Sequence, residues 1–97
     1  MKKIYMLIFD NISNTNTRSA FIETITSNFI SKQAKENVYM ILTGPEMNSR
    51  TVYNILISKS DNQVSLLVIE LDDFYGVFKE GVGPWLKSHL PDRDFTA

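Results

Sequence analysis

Residues 4–9, "IYMLIF", are apolar at every position, so that Ile4, Met6 and Ile8 point one way and Tyr5, Leu7 and Phe9 the other. A strand with one wet face would alternate apolar and polar; this one asks for cover on both. The same two-faced pattern returns in "VSLLVIEL" (64–71). Between them, "NVYMILT" (37–43) is a β-branched and aromatic run closed by Gly44-Pro45, and it predicts a third strand. The preceding "SKQAKE" (31–36) is polar and predicts an exposed edge strand, joined to 37–43 as a hairpin near Lys35 and Glu36.

Two stretches carry the helical period instead. Phe21, Ile22, Ile25 and Phe29 form one stripe, predicting a helix over 17–30 capped by Asn16 or Thr17. Val52, Ile55, Leu56 and Lys59 form another, predicting a helix over 48–59 capped by Asn48 or Ser49 and ended by "KSDNQ" (59–63). The order βαββαβ, with right-handed crossovers, predicts a ferredoxin-like α+β two-layer sandwich with 4–9 and 37–43 at the centre of the sheet.

That fold covers only one face of the sheet. Two occupants suit the other. Pro84, Trp85, Leu86, His89 and Leu90 predict a short C-terminal helix that folds under the sheet; alternatively a second subunit presents its own apolar face, making a homodimer helped by 74–90.

Composition narrows the chemistry. The 97 residues make a single domain, 43% hydrophobic and 22% charged, with residues 91–97 as a flexible tail. Without cysteine there is no disulfide, thiolate metal site or thiol nucleophile. The apolar opening run stops at Asp10 with no small-residue cleavage site after it, so it is taken as a strand rather than a leader. No stretch has the length of a membrane span, and a cytoplasmic protein with no membrane partner is expected. The formal charge of −1, with basic residues dispersed, provides no compositional footprint for phosphate binding.

The pattern "LIFD" (7–10), Arg18 in the first helix, "NVY" (37–39), "LLVIEL" (66–71) and "WLKSHL" (85–90), in that order, resembles SinR-family small bacterial proteins. These are related to the small ferredoxin-like nucleases of CRISPR adaptation and to virulence-associated protein D toxins. The resemblance covers nearly the whole chain. It implies a homodimer that binds nucleic acid and, in some relatives, a Mg²⁺-dependent endonuclease or endoribonuclease acting through the carboxylate at the end of the first strand.

On that resemblance Asp10 is the catalytic residue and metal ligand, facing its symmetry mate, with Arg18 and Tyr39 as nucleic-acid contacts. Each has a plainer alternative. An Asp after a strand often turns the chain, an Arg on a first helical turn is often solvated, and a Tyr on an inner strand is usually core. His89 belongs on the edge of an apolar helix face rather than in a general-base role. Glu70, Asp72 and Asp73 suggest a solvated turn, and Asp92 and Asp94 lie in the tail. "GVG" (81–83) lacks the surroundings of a nucleotide loop and reads as a hinge before Pro84. The competing function is a non-enzymatic homodimeric module that docks a larger protein.

Overall fold

The computed structural model describes residues 2–59, 64–71 and 81–90. The elements run β1 (Lys3–Phe9), α1 (Thr15–Asn28), β2 (Ile30–Lys35), β3 (Val38–Thr43), α2 (Ser49–Lys59), β4 (Leu66–Leu71) and α3 (Val82–His89). The strands form an antiparallel sheet in the order β2-β3-β1-β4. This is the ferredoxin-like α+β sandwich with an added C-terminal helix, and β1 and β3 are central as expected.

Helix α1 begins two residues before the expected start, because the cap is Asn14: its Oδ1 accepts the Thr17 backbone N–H at 3.0 Å. At α2 the expected Asn48 does the same for Thr51 at 2.8 Å. Each cap satisfies an N–H that the first turn leaves without an intrahelical partner. The β2–β3 turn falls at Glu36-Asn37.

One core lies between the sheet and α1/α2. It holds Tyr5, Leu7 and Phe9 of β1, Tyr39 and Ile41 of β3, Phe21 and Ile25 of α1, and Val52 and Leu56 of α2. Phe9 and Phe21 meet edge to face with centroids 5.0 Å apart, a favoured aromatic geometry. These contacts hold α1, whose exposed Thr, Ser and Asn residues are modest helix formers.

A second core lies under the opposite face. Ile4, Ala34, Met40 and Leu42 are buried there against Val82 and Leu86 of α3, with Trp85 and Leu90 flanking. Gly81 stands before α3 at φ 92°, a left-handed conformation that a side chain would strain. Pro84 sits in the first helical turn, where its missing N–H costs nothing.

The cover is incomplete. Helix α3 serves the β2–β3 side and the Ile4 end of β1, whereas Leu67 and Ile69 of β4 keep 56% and 37% of their surface exposed. In register they lie beside Ile8 and Met6, themselves only half-buried. Residues 60–63, 72–80 and 91–97, with Asp72, Asp73, Asp92, Asp94 and the expected tail, lie outside the described residues.

Candidate functional site

Strand β1 delivers Asp10 to one end of the sheet. The Asp10 backbone N–H donates to the Ser65 carbonyl at 3.2 Å, the last rung between β1 and the approach to β4, and its side chain is exposed. Beyond it the chain turns through Asn11–Ser13 into the Asn14 cap. The result is an open cavity of about 350 Å³, lined by Asp10, Asn11, Ser13 and Asn14 with Ile12 and Val64 as its apolar part. Thr17 and Ser65 complete the rim.

Chemically this is a mixed polar and apolar pocket with one carboxylate. Asp10 with the side-chain oxygens of Asn11 and Ser13 suits a hard cation. One carboxylate per chain is a sparse set, however. Among the described residues, no group of three or more His, Cys, Asp or Glu is assembled. A magnesium ion here would draw its remaining ligands from water, from substrate phosphate or from a second copy of the chain.

Arg18 is placed on the first turns of α1, half-buried, with its guanidinium turned toward the β2–β3 turn. Its Nη1 donates to Asn37 Oδ1 at 2.7 Å and its Nη2 to the Glu36 carbonyl at 2.7 Å. The guanidinium also lies over the Phe9 ring, 5.7 Å from its centroid. It therefore staples α1 to the β2–β3 turn. No Arg18–Asp10 ion pair occurs.

Tyr39 is buried on the helix-facing side of β3, with its ring 6.2 Å from that of Phe9. In this arrangement it contributes to the core and offers no stacking surface. His89 meets Trp85 edge to face at 5.1 Å on α3, as the stripe implied.

No family model, curated protein or solved structure matches this chain. Its functional reading therefore rests on its own residues.

At the far end of the sheet is a polar cluster that no local pattern announces. The Met47 carbonyl, in the loop before α2, accepts from Lys3 Nζ at 2.8 Å and from the Tyr5 hydroxyl at 3.1 Å. Glu70 pairs with Tyr5 across the β1–β4 ladder and lies 4.0 Å from Lys3 Nζ. Burial raises the Tyr5 pKa above the ordinary 10.0, and the charge of the Glu70 carboxylate adds to the rise. The cluster holds a loop to the sheet. Its partners are 42 and 44 residues apart in sequence, which is why periodicity did not find it.

Among the described residues no helix is long and apolar enough to cross a membrane.

Proposed function

We propose that this chain is a homodimeric protein-interaction module that associates through the part of its sheet left uncovered by α3. The supporting observation is the strip formed by Leu67 and Ile69 with Met6 and Ile8, apolar at every position and exposed on β4. Removing such a strip from water is favourable at about 25 cal/mol per Å², and apolar surface of this kind marks interaction sites. The near-neutral charge, the engagement of the Arg18 guanidinium by the β2–β3 turn and the burial of Tyr39 favour a protein partner over nucleic acid.

Light scattering tests the reading. The wild type is expected at dimer mass in dilute solution, and Leu67→Glu, which puts a charge into the strip while leaving both cores untouched, is expected at monomer mass. A monomeric wild type removes the proposal.

A second reading keeps the nucleic-acid function, with Asp10 holding Mg²⁺. Its support is the exposed carboxylate at a cavity that also carries Asn11, Ser13 and Asn14. Bound there, the ion would supply charge neutralisation at a phosphate and a more acidic water. Asp10 would hold it and Asn11 and Ser13 would orient its surroundings. Binding of labelled RNA and DNA at low salt, with and without Mg²⁺, distinguishes this reading from the first.

A further inference from the structure

The two edges of this sheet are built differently. The β2 edge carries Lys32 and Lys35 and an irregular register between Gln33 and Lys35. Charged side chains and bulges are devices that discourage a further strand from adding. The β4 edge, "LLVIEL", has neither proline nor lysine, its register with β1 is unbroken, and its one charge is Glu70. An edge so unguarded is a template for strand addition.

The ladder tells which groups are available. Asp10 and Ser65 form a hydrogen-bonded pair, and pairs of the two kinds alternate along an antiparallel ladder. Hence Leu67, Ile69 and Leu71 direct their backbone N–H and C=O groups at β1. Leu66, Val68 and Glu70 direct theirs at the outer edge, where no strand among the described residues pairs with them.

We propose that the partner at this edge is β4 of a second copy, paired antiparallel about a two-fold axis at Val68. This rests on the homodimer reading and specifies its interface. In that register Val68 faces Val68 of the partner subunit, and Leu66 faces the partner's Glu70. Every outward backbone group of Leu66, Val68 and Glu70 then has a mate. Leu67 falls opposite the partner's Ile69 as a non-hydrogen-bonded pair, the kind that brings side chains closest, at about 4.5 Å between Cα atoms. Leu67 and the partner's Ile69 then touch side by side on the same sheet face, each shielding one flank of the other, while Met6 and Ile8 keep their exposure. The charge pattern agrees: Glu70 meets an apolar residue and stands several residues from its own mate, so no like charges oppose. An isologous contact of this kind closes on itself and does not propagate.

Two measurements test the register. In the wild-type dimer, amide hydrogen exchange is expected to show Leu66, Val68 and Glu70 protected, with protection lost on dilution to monomer. The chain has no cysteine, so engineered thiols report without background. Leu67→Cys/Ile69→Cys is expected to form a disulfide-linked dimer under mild oxidation. Either single variant is expected to form none, because its own mate lies diagonally about 7–8 Å away, beyond the usual disulfide reach. A dimer whose outward β4 amides exchange freely overturns strand pairing and leaves the homodimer reading standing. A monomeric wild type overturns both.

Discussion

The Arg18 guanidinium lies across the Phe9 ring while donating to Asn37 and Glu36 of the β2–β3 turn. One side chain thus joins the start of α1, the end of β1 and a hairpin tip. Charge-assisted hydrogen bonds contribute about 1.5–3 kcal/mol each when they are removed singly, and a cation over a ring about 0.5–1 kcal/mol where exposed. Because the bond to Glu36 is solvent-exposed and contributes little, Arg18→Ala is expected to lower unfolding free energy by about 2 kcal/mol. Arg18→Lys is expected to recover only part of it, since lysine lacks the fork that reaches two acceptors. Chemical denaturation followed by circular dichroism measures both. An Arg18→Ala protein as stable as the wild type would return the residue to the role of a free anchor.

The Tyr5 hydroxyl makes a pH prediction with a definite sign. Its folded pKa is raised above the unfolded 10.0, chiefly by burial and then by Glu70. Below pH 10 both states hold the proton and the group contributes no slope. Above it the unfolded chain loses the proton first, so stability falls as pH rises from about 10 toward the folded value. Urea midpoints between pH 8 and pH 11 are expected to decline at the upper end for the wild type and to decline less for Tyr5→Phe. The substitution should cost about 1 kcal/mol at neutral pH, because Lys3 still donates to the Met47 carbonyl.

Helix α3 provides a local reporter. Leu86 is fully buried beneath the sheet, and Leu86→Ala is expected to cost about 2–5 kcal/mol. The chain has a single tryptophan, Trp85, partly buried on the same helix. Its emission should shift to the red in Leu86→Ala at denaturant concentrations where far-ultraviolet circular dichroism is unchanged. Coincident transitions would instead make α3 part of the global folding unit.

The fold was legible because β1, β3 and β4 are continuous apolar runs closed by breakers, α1 and α2 each carry an apolar stripe, and their order admits few topologies. Even the demand for cover on both faces of β1 could be read from Ile4, Met6 and Ile8. The C-terminal helix was one of the two occupants the sequence offered; that it docks on Ala34, Met40 and Leu42 and leaves β4 open could not be read, because those contacts join residues distant in sequence. The exact cap of α1 was missed by two residues because "NISNTNT" offers several capping side chains. At the candidate site, strand position supported only the plainer reading of Tyr39, as core rather than as a nucleic-acid contact. The Arg18 staple did not, since it depends on where the hairpin tip comes to rest.

Asp10 is the residue on which the nucleic-acid reading stands or falls. Its side chain is exposed at the cavity rim, so Asp10→Asn, which keeps the shape and removes the charge, is expected to change stability by less than about 0.5 kcal/mol. Any functional effect would then report on ligand binding rather than folding. If the chain cleaves RNA or DNA with added Mg²⁺ or Mn²⁺, the substitution should lower the rate by at least about 100-fold, because the amide is a far weaker partner for a hard ion than the carboxylate. Metal titration by calorimetry should show the same loss without relying on turnover. Equal cleavage by both proteins would exclude Asp10 from the chemistry, while absence of both metal binding and cleavage in the wild type would leave the dimeric interaction module as the surviving reading.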